Sequence, residues 1–173
     1  MLELETIYEE HFSAILNFVV RRVRNVALAE DITAGVFMKV VEKLHTYNPV
    51  KASIQTWLFS IASHELINYY RRNKLEVDIE QYDSLLKSPD IVEEIDKKQR
   101  EFDKDMQYRT LMETCDTALS PEEKNIVLLF YLEEKSYAEI ATITGIKEVT
   151  LRSKLHRALK KIKDAFPTEV NYE

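Results

Sequence analysis

The chain reads as all-α, and three observations say so. Only two glycines and four prolines punctuate 173 residues, so helix breakers are scarce. Apolar residues recur three and four positions apart over long windows, which is the period of an amphipathic helix and not of an alternating strand. Two Ser-x-x-Glu segments, Ser120 to Glu123 and Ser136 to Glu139, carry the spacing of helix capping boxes.

The elements follow in order. Residues 4–24 predict a first helix, with Ile7, Phe12, Ile15, Leu16, Val19 and Val23 on one side and the basic run "RRVR" at its end. A second helix is expected to begin near "LAEDI", where Glu30 and Asp31 suit the positive end of a helix dipole, and to continue through Val36, Phe37, Val40, Val41 and Leu44. Asn48-Pro49 ends it, because proline disfavours the α conformation in the residue before it. A third helix runs from about Ser53 to Arg72, and residues 1–75 form one helical unit.

Residues 76–108 read as an acidic linker leading into a helix, whose apolar stripe is Val92, Ile95, Phe102 and Met106. A stretch this polar does not offset the entropy of ordering it by burial. Residues 109–173 form the last unit. There Ser120 caps a helix with Pro121 at its first position, and Ser136 caps a short helix from Tyr137 to about Thr142. Gly145 supplies a sharp turn, and a long helix opens near Lys147. Short helix, glycine turn, long basic helix is the helix-turn-helix arrangement.

The net charge of −6 hides a segregated chain. Lys and Arg number nine against eight Asp and Glu in residues 1–75, six against thirteen in 76–118, and nine against nine in 119–173. Within the last segment, residues 147–163 hold seven basic residues and one acidic one, Glu148. At 100° per residue, Leu151, Leu155, Ala158, Leu159 and Ile162 gather on one side of the last helix. Ser153, His156, Arg157 and Lys160 gather on the other, flanked by Thr150 and Arg152. That second face suits a DNA major groove: arginine can fork onto guanine O6 and N7, Ser and His can bond base edges or phosphate, and lysine neutralises the backbone. Acidity elsewhere limits non-specific binding or serves a protein partner.

Several function classes are disfavoured. Cys115 is the only cysteine, and the four histidines do not stand at metal-ligand spacing, so neither a disulfide nor a metal site is expected. No Ser/His/Asp or Cys/His grouping and no glycine-rich phosphate loop stands out, so the chain is not expected to be an enzyme or to need a cofactor. "FSAILNFVV", nine residues, is too short and too polar for a signal core or a span, which points to a reduced, cytoplasmic protein without membrane insertion.

The segment "LSPEEKNIVLLFYLEEKSYAEIATITGIKEVTLRSKLHRALKKI" closely resembles the promoter-binding fourth region of bacterial sigma factors of the extracytoplasmic-function group. "AEDITAGVFMKVVEKL" and "SIQTWLFSIASHELINYYRR" resemble the second region of the same group, in the correct order, with the acidic stretch in the linker position. The resemblance implies a specificity subunit that binds core RNA polymerase and directs it to promoter DNA with minus-thirty-five and minus-ten elements. It also implies an anti-sigma partner, no small-molecule substrate, and association with the nucleoid when active.

Carried over by position, Arg152, Ser153, His156 and Arg157 match the minus-thirty-five readers, and Lys160 extends their face. "TYNPVKASIQ" matches the loop that captures a flipped base and "SHELINYYRR" the helix along the minus-ten element, making Lys51, His64, Asn68, Arg71 and Arg72 candidates there. Trp57, set among Leu58 and Ile61, is expected to pack in the core. Glu30, Asp31, Lys39 and Glu42 fall where the family contacts the polymerase clamp. Ala34 and Gly35, in the part that contacts the polymerase clamp, stand where the family commonly has Gln and Glu; His64 and Asn68 stand where Asn and Asp are usual, so an unusual minus-ten preference is expected.

Two rivals differ in class. A helix-turn-helix regulator would bind duplex operator without polymerase, and the second-region resemblance argues against it. A sigma-like adaptor would work by protein contact alone, against which stand Arg152, Arg157 and the basic "RALKKIK".

Overall fold

A computed structural model describes residues 3–73 and 106–166. Among them the chain forms seven α-helices and one 3-10 turn, and no strand. The helices are α1 (Leu4–Val23), α2 (Val26–Lys43), α3 (Ile54–Asn73), α4 (Met106–Ala118), α5 (Pro121–Tyr131), α6 (Tyr137–Thr144) and α7 (Glu148–Ala165). The expected stripe of Val92, Ile95 and Phe102 lies outside the described residues, whereas Met106 opens α4.

Helix α1 buries Ile7, Ile15, Leu16 and Val19 as its periodicity marks, and Phe18 and Val20 with them, while Phe12 and Val23 are only half-buried. Arg24 closes it in the left-handed region (φ 52°), its N–H donating to the Val20 carbonyl at 2.7 Å. This abrupt reversal leaves room for only one more residue before the next helix. Helix α2 therefore starts at Val26, earlier than expected, and Asn25 caps it by accepting from the Leu28 N–H at 3.0 Å. Glu30 and Asp31 consequently lie beyond the first turn, which carries no acid. Val41, expected inside, is 56% exposed, because α2 seats Val36, Phe37 and Val40 inward and the next position rotates past the contact.

After the 3-10 turn Leu44–Thr46, the Asn48-Pro49 segment folds back on itself, with the Val50 N–H donating to Asn48 Oδ1 at 2.9 Å. Ser53 then accepts from the Thr56 N–H and starts α3. Phe59 of α3 stacks on Phe18 of α1 with ring centroids 4.5 Å apart.

Both capping boxes form: Ser120 and Ser136 accept from the Glu123 and Glu139 N–H groups, and each glutamate accepts in return from the N–H of its serine. Helix α6 continues to Thr144, two residues past the expected end. Gly145 then turns at φ 73°, where a side chain would be strained, and its N–H donates to Ala141 O at 2.8 Å. Helix α7 buries Leu151, Leu155, Ala158 and Ile162; Leu159, expected with them, sits at the edge and is 36% exposed.

Helices α1, α2 and α3 pack on one another, and α4, α5 and α6 each pack on α7. The two groups also touch. Helix α3 lies against α6 and α5, α1 meets α5, and the buried apolar side chains form one connected cluster from Ile7 to Ile162. Separate periodicities in two helix groups could not foretell this closed arrangement.

Candidate nucleic-acid interface

Helix α7 is held from below by its apolar stripe and presents the other side outward. Arg152, Ser153, His156, Arg157 and Lys160 are all exposed, as are Val149 and Thr150 at the start of the helix. These residues form one continuous exposed surface. Arg152 lies over the Tyr137 ring of α6, 5.0 Å from its centroid, which positions the guanidinium beside the turn. Arg157 Nε donates to the Ser153 carbonyl at 3.3 Å.

The structure sorts the basic run that sequence lumps together. Lys154 pairs with Glu122, and Lys161 with Glu123 at 2.7 Å, both on the flank facing α5. Among the described residues no carboxylate pairs with Arg152, Arg157 or Lys160, so their charge is available to an external anion. The Glu123 carboxyl is buried in part, which alone would raise its pKa. The Lys161 ammonium and the Ser120 N–H outweigh that and hold it below the usual carboxylate range.

A second surface lies along α3. His64, Asn68, Arg71 and Arg72 are exposed, and their spacing places them on one helical flank. His64 Nδ1 lies 2.6 Å from the Ser60 carbonyl, and Arg72 Nε donates to Asn68 O at 3.3 Å. Lys51 is exposed on the loop before α3. Trp57 is half-buried against the core, with Tyr47 at 5.3 Å between ring centroids, so it packs as expected.

The third candidate set lies on α2. Asp31 and Glu42 are exposed, Glu30 and Lys39 half-buried, and Lys39 Nζ donates to Glu42 at 2.8 Å. Sequence reading missed the apolar residues beside them: Met38 is 68% and Val41 56% exposed, three positions apart on the outer face. Their signal was available in the register of α2, because Val36, Phe37 and Val40 already fill the inward stripe.

Comparison with known proteins places the chain in a family. The Sigma-70 region 2 family model matches residues 7–76, and the Sigma-70 region 4 model matches residues 110–162. The RNA polymerase sigma factor YlaC of Bacillus subtilis is 28% identical over 162 residues, covering 92% of this chain and 90% of that protein. The ECF RNA polymerase sigma factor SigM of the same organism is 25% identical over 173 residues, covering 99% and 100%. Among solved structures, the sigma factor RpoE in complex with the anti-sigma factor NepR from Bartonella quintana is similar. Its TM-score is 0.68 at 19% identity, over 95% of this chain and 97% of that one, a likeness of fold.

Proposed function

This chain belongs to the sigma-70 family, in its extracytoplasmic-function group, and we propose that it divides the work of an RNA polymerase sigma factor between three surfaces. As a sigma factor it binds core RNA polymerase and directs promoter-specific initiation. Chemistry on nucleotides belongs to the polymerase in this family, and we assign no catalytic residue here.

Residues 109–173 act as the minus-thirty-five unit. Arg152, Ser153, His156 and Arg157 enter the major groove from α7, and Lys160 meets the phosphates. Residues 1–75 act as the minus-ten and polymerase-binding unit. Along α3, His64, Asn68, Arg71 and Arg72 follow the melted strand, and Lys51 helps to hold an extruded base. On α2, Glu30, Asp31, Lys39 and Glu42 surround the apolar pair Met38 and Val41, a composition suited to a protein contact with an apolar centre and a polar rim. Residues 76–108 join the two units.

The observation that carries this reading is the exposed basic face of α7 behind the Gly145 turn. We further propose an inhibitory protein partner, since a relative of the same fold is crystallised with an anti-sigma factor. No described helix is long and apolar enough to cross a membrane.

The test is run-off transcription with purified core polymerase on a pool of promoter fragments, with and without the protein. Specific new transcripts are expected. Their absence, together with tight binding of the protein alone to duplex DNA, would favour an operator-binding regulator instead.

A further inference from the structure

The outer side of α7 is not uniformly polar. Val149, in the first turn of the helix, is 80% exposed, and among the described residues only Val50, on the loop before α3, is a more exposed large apolar side chain. Val149 lies within the basic stripe and not beside it. At 100° per residue His156 stands to one side of it, Lys160 and Ser153 stand to the other, and Arg152 and Arg157 lie toward the two margins. The position is fixed from behind. Leu151, two residues on, is fully buried, Gly145 turns the chain sharply before the helix, and Ser153 Oγ donates to the Val149 carbonyl at 3.4 Å.

A lone exposed valine is ordinary on a protein surface, but one at the centre of a face that enters a groove must meet something there. Valine offers neither donor nor acceptor. In the major groove every base edge presents hydrogen-bonding groups, and the one apolar feature among them is the C5-methyl of thymine. Against guanine, adenine or cytosine, the valine side chain would strip water from O6, N7 or an amino group and give no bond in return, which costs free energy. Against thymine it packs methyl on methyl. The branched Cβ of valine also restricts χ1, so little rotamer freedom is lost on contact. A helix lying in the major groove can meet successive base pairs with residues about three positions apart, which sets Val149 one base pair from the position that Arg152 meets.

We infer that Val149 is a specificity-determining residue of the minus-thirty-five contact, packing on the 5-methyl group of a thymine one base pair beyond the pair met by Arg152. The basic and hydroxyl groups around it supply hydrogen bonds and phosphate neutralisation, and Val149 adds the one apolar reading on that face.

Val149 acts in this way only if α7 enters the major groove as proposed above, and the experiment separates the two. The probe is deoxyuridine, which pairs as thymidine does and lacks only the methyl group. Promoter fragments found by run-off transcription are remade with single thymidine-to-deoxyuridine changes, on either strand, across the minus-thirty-five element. Binding by holoenzyme assembled from core polymerase and the full chain is then titrated. With the wild-type chain, deoxyuridine at one position is expected to weaken binding about fourfold, the worth of one buried methyl group. Val149→Ala puts a better helix former in the same turn, so the helix persists, and the difference between thymidine and deoxyuridine is expected to vanish. Arg157→Ala is expected to weaken binding while keeping that fourfold ratio of about the wild-type size.

Equal sensitivity to deoxyuridine in the wild type and in Val149→Ala, or no sensitive position at all, would overturn the role of Val149. If other base substitutions in the element were still felt, and felt less by Arg157→Ala, the groove reading would stand without it. Wild-type holoenzyme indifferent to every base substitution in the element would overturn the groove reading, and the role of Val149 with it. A second arm sets a cytosine·guanine pair at the sensitive position. There 5-methylcytosine, which restores a methyl at the same ring carbon, is expected to bind better than cytosine with the wild type and equally well with Val149→Ala. A wild type that treats the two alike would overturn the assignment.

Discussion

The chain uses the same chemistry in two opposite settings. Arg22 is enclosed by Phe18, Asn125, Glu133 and the end of α1, whereas Arg157 stands on the outer face of α7 with only its own helix behind it. Burial drives the pKa of Arg22 down to about 9, against the opposing pull of Glu133; it still carries its proton at neutral pH, at a desolvation cost that its hydrogen bonds must offset. Arg157 bears no such cost, because water solvates it until a ligand displaces the water. The difference teaches that a basic residue serves structure when the fold removes its water and serves binding when the fold leaves it. Stability and DNA recognition should therefore separate cleanly when each is broken.

The largest effect is expected at Arg22. Arg22→Ala leaves the buried Asn125 Oδ1 without its donor and empties the space over the Phe18 ring, while Glu133 keeps Arg21, and should destabilise the chain by about 3 kcal/mol, read from urea unfolding. Arg157→Ala is the counterpart. It should leave the unfolding midpoint almost unchanged and weaken promoter use through the minus-thirty-five element by about 1–3 kcal/mol, measured as lost discrimination among base substitutions there. If both substitutions lowered stability alike, the contrast between the two arginines would fail.

Ser136→Ala probes the framework behind the groove face and should cost about 1 kcal/mol, because the Glu139 N–H at the start of α6 loses its acceptor. Its partner Glu139 adds a pH signature. The Ser136 N–H holds this carboxyl below its ordinary value of 4.5, so its contribution to stability is present above that value and is lost as the pH falls through the lower folded one. Thermal unfolding between pH 6 and pH 3 should show the gap between wild type and Glu139→Gln closing in acid. The smallest effect is a gain. A methyl at Gly35 would meet no atom within 4 Å, and Gly35→Ala should stabilise α2 by about 0.5–1 kcal/mol in the same unfolding assay.

How much could be read in advance depends on how local the cause is. The capping boxes at Ser120 and Ser136 and the turn at Gly145 formed as read, since each involves residues within four positions of one another. The start of α2 was misjudged because two acidic residues drew attention from Asn25, whose cap is equally local but has no accompanying glutamate. Leu159 and Val41 fell outside the core for a different reason: a helical projection gives the angle of a face but not how far the neighbouring helix extends across it. Met38 was legible only indirectly, as an apolar residue left outside the inward stripe that Val36, Phe37 and Val40 already fill.

By itself the sequence determined the helical class, the helix-turn-helix and the opposed faces of α7. All of these follow from spacings of a few residues acting through backbone geometry and periodicity. Only the tertiary structure decided which cations are buried, which basic residues of α7 pair with α5, and that α3 and α6 lie against each other. Arg22 and Asn125 are separated by 103 positions, and nothing in the chemistry of either names the other. Desolvation is a property of the assembled environment, so the fate of a charge is settled only when distant helices meet around it.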